Sequence, residues 1–238
     1  MIQRIVKYIM ISLLMVFPLI SYAQNDNSFL REDFDNLDNW KPLEFPKIKR
    51  HSSYKLESDG DERYLKAESD SSASGLIYKK EFNVYEFPNI KWRWKIENVY
   101  KKGDAKTKEG DDYPIRIYII FKYNPKKAGF LERMKYNAAK LIYGEYPPHS
   151  GLNYIWANKE YTERIITSSY TGQAKMILLQ KGGANAGKWK TESVNIIEDY
   201  RSAFGEDPPA ISSIAIMNDS DNTGEKAVSY VDYIEVYK

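Results

Sequence analysis

The sequence predicts an all-β protein built from two stacked sheets, and three observations carry that expectation. From Phe29 onward, short runs rich in Ile, Val, Tyr and Trp recur between Gly, Pro, Asn and Asp clusters at hairpin spacing. Several runs alternate apolar with polar residues, the period of a strand that buries one face. Apolar residues make up 42% and aromatic residues 14% of a 238-residue chain, which is ample for one sizeable core. Neither a repeat nor a low-complexity linker interrupts residues 24–238, so a single domain is expected there.

Weaker strands fall near Arg63–Ala67 and Leu76–Phe82. Clear ones fall at Ile90–Ile96, Ile115–Lys122, Leu152–Ala157, Lys175–Gln180, Ser212–Met217 and Val228–Tyr237. About ten strands suit a sandwich. Two segments depart from the pattern. Over Phe130–Tyr143 the apolar residues Leu131, Met134, Ala138, Leu141 and Ile142 recur at helical spacing, and Gly144 with Pro147-Pro148 ends the run. This predicts an amphipathic helix whose other face carries Arg133, Lys135 and Lys140. Such cations either attract anionic lipid or glycan or form a solvated face, the commoner case. Ile196–Phe204 reads as a short second helix closed by Gly205, a lid or crossover.

Residues 1–23 read as a secretory signal. Arg4 and Lys7 precede the apolar run Ile9–Phe17, and Ser21-Tyr22-Ala23 offers small residues for cleavage before Gln24. The run is shorter than the roughly 20 residues a bilayer core demands, and Pro18 follows it, so no stable membrane insertion is expected after cleavage. An exported protein, periplasmic or extracellular, is expected. Removing the two cations of 1–23 from 35 Lys and Arg leaves 33 against 33 Asp and Glu. A neutral chain lacks the basic excess that neutralises phosphates, which argues against a nucleic-acid partner.

Zero cysteines exclude thiol nucleophiles, iron–sulfur clusters, cysteine zinc sites and disulfides. His51 and His149 are the only histidines, and the Pro147-Pro148-His149-Ser150-Gly151 context has no nucleophile-elbow pattern. Gln180–Gly187 lacks the Gly-Lys-Ser/Thr ending of a phosphate loop and reads as a hairpin loop before Trp189.

Strand faces locate candidate site residues. Alternation sends Ile90, Trp92, Trp94 and Ile96 to one face and Lys91, Arg93 and Lys95 to the other. In the next clear strand Arg116, Tyr118 and Ile120 oppose the odd-numbered residues. If the two strands are neighbours, Arg93, Lys95, Arg116 and Tyr118 share one surface, either a glycan or carboxylate site or an ordinary solvated face. In the last strand Asp232 falls on the face of Val228, Tyr230, Ile234 and Val236. An ionised carboxylate there must be paired or bound to a cation. Calcium held with Glu32 or Asp33 of an N-terminal strand, and a salt bridge to Arg31, are equal alternatives.

Asp219-Ser220-Asp221-Asn222-Thr223-Gly224 matches the first half of a calcium loop, but Thr223 stands at position five and Tyr230 at position twelve. There the match fails, and as a tight turn between strands, the commoner case, the segment needs no metal. Gly110-Asp111-Asp112 also precedes a strand. The two acidic turns could meet at one rim, as a metal site or an acid/base pair.

The set Trp92-Arg93-Trp94, Gly110-Asp111-Asp112, Arg116–Phe121, Asn153–Ala157, Trp189, Asp199-Tyr200-Arg201 with Ala203-Phe204-Gly205, and Asp219–Gly224 is similar to a bacterial exported family known as domain of unknown function 3047. The resemblance covers nearly all of the chain after residue 23 and brings no catalytic assignment. More distantly, Asp33-Phe34-Asp35 with Trp40 and the closing Tyr230–Ile234 resemble the ends of galactose-binding-type jelly rolls, which include many carbohydrate-binding modules. That resemblance implies a two-sheet jelly-roll sandwich with a structural calcium near Asp232. The chain departs from those modules in carrying the inserted helix. The residues support a non-enzymatic protein that binds a glycan or other polar ligand. Tyr118 and Trp156 would stack on it, Arg93 and Arg116 would hydrogen-bond it, and Asp111, Asp112, Asp219 and Asp221 would shape the rim. The alternative is a hydrolase or lyase of envelope polysaccharide using the same aspartates.

Overall fold

A computed structural model of the chain describes residues 27–60, 62–143 and 146–238, without the side chains at 142 and 143. The signal expected at 1–23 and the helix-ending Gly144 lie outside these residues. The described residues form fourteen strands and two helices arranged as a two-sheet jelly-roll sandwich. One sheet has the order β12 (Lys190–Asn195), β7 (Asn89–Ile96), β14 (Lys226–Tyr237), β4 (Glu62–Asp70), β3 (Ser53–Asp59), and β1 (Ser28–Glu32) also pairs with β14. The other has the order β10 (Ile165–Thr167), β11 (Ala174–Lys181), β9 (Ser150–Ala157), β8 (Arg116–Phe121), β13 (Ile211–Asp219), β5 (Ala73–Tyr78), β2 (Trp40–Leu43), with β6 (Phe82–Asn83) on β13. The single run expected at Leu76–Phe82 is thus split between β5 and β6.

The core lies where the alternating faces meet. Ile90, Trp92, Trp94 and Ile96 of β7 are fully buried and face Leu152, Tyr154 and Trp156 of β9 and Ile117 and Ile119 of β8. The aromatic rings interlock across the layers. Trp92 meets Trp94 edge-on at 5.4 Å, Trp92 tilts against Tyr154 at 5.3 Å, and Trp94 against Trp156 at 5.9 Å. Such pairs prefer offset and edge-to-face geometry because the ring face is negative and its edge positive.

β14 departs from simple alternation. Its register against β7 shifts between Val231 and Tyr233, the mark of a β-bulge. Ala227, Ser229 and Val231 point inward before the bulge, Ile234 and Val236 after it. Asp232 therefore sits on the outer face, where its Oδ2 accepts a hydrogen bond from Arg93 at 2.8 Å. The expectation that Asp232 shares a face with Val228, Tyr230, Ile234 and Val236 holds for Val228 and Tyr230 and is corrected for Ile234 and Val236: the extra residue changes the phase after Asp232.

α2 (Ile196–Phe204) starts at Asn195, whose side chain accepts from the amides of Ile197 and Glu198, both at 3.1 Å. It ends at Gly205, whose φ of 76° is the left-handed value glycine adopts without strain. Its Tyr200 is buried edge-on against Phe121 at 4.7 Å. α1 (Phe130–Tyr143) forms as the periodicity predicts, but its apolar stripe faces outward. The helix docks instead through Tyr136, stacked on Tyr123 at 3.7 Å with the rings 5° from parallel. No helix among the described residues is long and apolar enough to cross a membrane.

Candidate functional site

β7 and β8 lie in different sheets, so Arg93 and Arg116 are on opposite outer surfaces. The surface expected to unite Arg93, Lys95, Arg116 and Tyr118 does not exist. Alternation gives each strand's faces but not which strands are adjacent, and here the two strands stack rather than pair. Arg93 lies over the ring of Trp189 at 4.8 Å and bonds Asp232. Trp156, expected to stack on a ligand, is buried in the core, and its Nε1 donates to the Gly182 carbonyl at 3.1 Å.

Arg116 and Tyr118 stand on the outer face of the eight-stranded sheet, in two cross-strand rows. One row runs Gly75, Met217, Arg116, Ile155 and the next Ala215, Tyr118, Asn153, Met176. Loops close over these rows: Phe45–Ile48 after β2, Ser168 and Tyr170 after β10, and Asp221 and Asn222 after β13. They enclose a pocket of about 560 Å³, whose wall includes Asp111 and Asp219. Its volume suits a small ligand. Asn153, Ser168, Tyr170, Met176 and Met217 were not singled out from the sequence. The outward-facing alternation on β9, β11 and β13 is the signal that would have found Asn153, Met176 and Met217.

The two acidic turns do meet at one rim. Gly110 permits this, since its carbonyl accepts the Asp104 amide at 2.7 Å and a Cβ there would lie 2.5 Å from the Asp104 nitrogen. Asp112 ties the turns together. Its Oδ2 accepts the Thr223 amide at 2.6 Å, and its Oδ1 accepts the Asn222 side-chain amide at 3.1 Å and the Asn222 backbone amide at 3.4 Å. Asp219 Oδ1 accepts the Tyr113 amide at 3.2 Å, while Oδ2 accepts from Arg116 Nη2 in a close ion pair. The Arg116 side chain is 5% exposed and that of Asp219 2%. Arg116 Nη1 is 3.8 Å from Asp111 Oδ1, and the guanidinium lies 4.8 Å from the Tyr113 ring and 5.5 Å from the Tyr118 ring.

Polar groups remain unsatisfied at this centre. Among the described residues, the buried Arg116 Nε, Asp111 Oδ1 and Asn153 Oδ1 have no hydrogen-bond partner. Buried polar atoms are ordinarily paired, so three around one pocket are notable. Burial pushes the Asp111 carboxyl above the usual aspartate range, with Arg116 pulling the other way. Burial and then Asp112 push Asp221 up. For Asp111 the folded chain holds its proton more tightly than the unfolded chain. Stability contributed by this site is present at low pH and falls as pH rises from the ordinary aspartate value through the raised one. Asp111→Asn abolishes that loss, so the variant should gain Tm relative to the parent as pH rises from the ordinary aspartate value through the raised one. A Tm difference constant across that range would contradict it.

Oxygens of Asp112, Asp219 and Asp221 lie within 4.8 Å of one another, so these three could hold a metal ion. The guanidinium of Arg116 already neutralises one of them. Glu32, Asp33 and Asp232 are not brought together as a ligand set. Glu32 Oε1 accepts the Phe34 amide and Oε2 the Trp40 indole N–H, both at 2.9 Å, which holds the turn where Phe34 has φ 54°. Asp33 pairs with Arg31 at 2.7 Å and Asp232 with Arg93, so the salt bridge offered between Asp232 and Arg31 does not form.

Several solved structures are similar to the chain. The family 11 carbohydrate-binding module of the cellulosomal cellulase Lic26A-Cel5E of Clostridium thermocellum is 14% identical, with 87% of this chain and 91% of that chain covered and a TM-score of 0.42. Endoglucanase 3 of family GH12 from Trichoderma harzianum is 8% identical over 84% of this chain and 99% of that chain, TM-score 0.41. The lectin from Bauhinia forficata in complex with GalNAc is 10% identical over 87% and 96%, TM-score 0.41. Likeness at this level assigns no ligand. No curated protein matches the chain. Residues 38–235, which span both sheets, both acidic turns and the pocket, match one family throughout, and the chain belongs to that family, described as Protein of unknown function (DUF3047).

Proposed function

We propose that the pocket on the outer face of the eight-stranded sheet binds a glycan or similar polyhydroxylated ligand without transforming it, in an exported protein. The supporting observation is the chemistry of the unpartnered atoms: Arg116 Nε is a donor, and Asp111 Oδ1 and Asn153 Oδ1 are acceptors. A hydroxyl both donates and accepts, so a polyhydroxylated ligand matches both kinds of unpartnered atom. Tyr118 and Tyr170 supply aromatic surface, and Met176 and Met217 supply apolar floor, for the C–H faces of the ring. Arg93 and Trp156 have no part in this reading.

Hydrolysis or lysis of a polysaccharide has one observation in its favour, the upward shift of the Asp111 and Asp221 carboxyls, the direction a general acid requires. Against it, Asp219 is engaged by Arg116, and Asp112 by the amides of Asn222 and Thr223. An oligosaccharide array followed by titration calorimetry tests the proposal. Asn153→Ala and Tyr118→Ala should each weaken binding about tenfold or more, in line with the loss of one hydrogen bond to a buried group or one stacking contact. Arg93→Ala should leave it unchanged. Binding that survives Tyr118→Ala and Asn153→Ala but fails with Arg93→Ala would place the site on the other sheet. Product release from the oligosaccharide, lost in Asp111→Asn, would favour the enzyme.

A further inference from the structure

α1 leaves its apolar side uncovered. Phe130 is 70% exposed, Leu131 80%, Met134 56% and Leu141 88%. At about 100° per residue these four and the exposed Ala138 fall in one arc about 100° wide. The opposite side, through Tyr136, fastens the helix to Tyr123 and to the Pro148 carbonyl, which accepts from the Tyr136 hydroxyl at 3.2 Å. Cations border the arc on both sides. Arg133 and Lys140 follow one edge and Lys135 the other, and the exposed Lys126 and Lys127 precede the helix. The helix carries one acid, Glu132, which is partly covered and 3.9 Å from His149 Nε2.

We propose that this face seats the protein on an anionic phospholipid surface, with the helix lying in the interface and not crossing it. An apolar stripe flanked by cations matches a bilayer boundary: the stripe enters the acyl edge while the longer cationic stems reach back to phosphate. Charge complementarity selects this occupant over a second copy of the chain. A two-fold contact through the same arc would bring the bordering cations of both copies together, with one acid per helix to offset them. The proposal is independent of the glycan pocket. α1 follows the C-terminal end of β8, whereas Arg116 begins that strand.

The absence of cysteine allows a single label to be placed at will. Leu131→Cys in the full chain, carrying an environment-sensitive fluorophore, is titrated with vesicles of phosphatidylcholine containing about 30% phosphatidylglycerol, and with phosphatidylcholine alone. The expected result is a saturable blue shift with the anionic vesicles. Binding should be about tenfold weaker or more with neutral vesicles, and again when Arg133, Lys135 and Lys140 are all changed to Glu. A label at Lys55→Cys, on exposed β3 of the other sheet, should not shift. No shift at position 131, an equal shift at position 55, or a shift without vesicles that grows with protein concentration would each overturn the proposal. The last would mean that the face is buried by a second copy.

Discussion

Arg116→Ala is expected to lower the stability of the fold by about 3–5 kcal/mol, the range found when one partner of a buried ion pair is removed and the other left uncompensated. The pair is 5% and 2% exposed, so solvent cannot screen the orphaned Asp219 carboxylate. Adding Asp219→Asn to Arg116→Ala should recover part of the loss. An asparagine oxygen still accepts the Tyr113 amide but carries no charge. Chemical denaturation of the parent, the single variant and the double variant measures both steps. A double variant no more stable than the single one would show that Arg116 acts through packing and not as a counter-ion. Because Arg116 also lines the pocket, stability has to be measured before any loss of ligand is attributed to the missing guanidinium.

Trp94→Ala should cost a similar amount, about 3–5 kcal/mol, for a different reason. The indole is fully buried between Trp92 and Trp156, and neighbours placed by two sheets cannot collapse into the space it vacates. Trp94→Phe keeps most of the volume and should cost about half as much or less. It forfeits the indole N–H that donates to Glu192 at 3.3 Å. Denaturation midpoints and near-ultraviolet circular dichroism check this. Equal losses for Ala and Phe would mean that the indole hydrogen bond, not the cavity, sets the cost.

What the sequence revealed and what it concealed divide along physical lines. The buried face of β7 was legible because Ile90, Trp92, Trp94 and Ile96 alternate with cations and a charge cannot follow them into the core. The convergence of the acidic turns was legible because both fall at strand ends on one side of the chain's folding pattern. Pairing was not legible. Whether Arg93 neighbours Arg116 depends on contacts far apart in sequence, which no local period encodes. The bulge at Val231/Tyr233 was hidden for a related reason, since an inserted residue sends Ile234 and Val236 to the face opposite Asp232 without altering composition. Trp156 follows from its own alternation with Leu152 and Tyr154, a reading that outweighs its aromatic character. α1 had the right period, yet the stacking of Tyr123 on Tyr136 decides which side touches the body.

The placement of β14 governs the order in which the molecule can assemble. The last strand in the sequence occupies the middle of its sheet, hydrogen-bonded to β7 on one side and to β4 and β1 on the other. Leu30 and Val236, near opposite ends of the chain, are partners. A chain emerging from its N-terminus has no template on which β1, β4 and β7 can align until residues 226–237 arrive. Such long-range closure is slow. Until then β4 and β7 each lack the neighbour that joins them in the finished sheet.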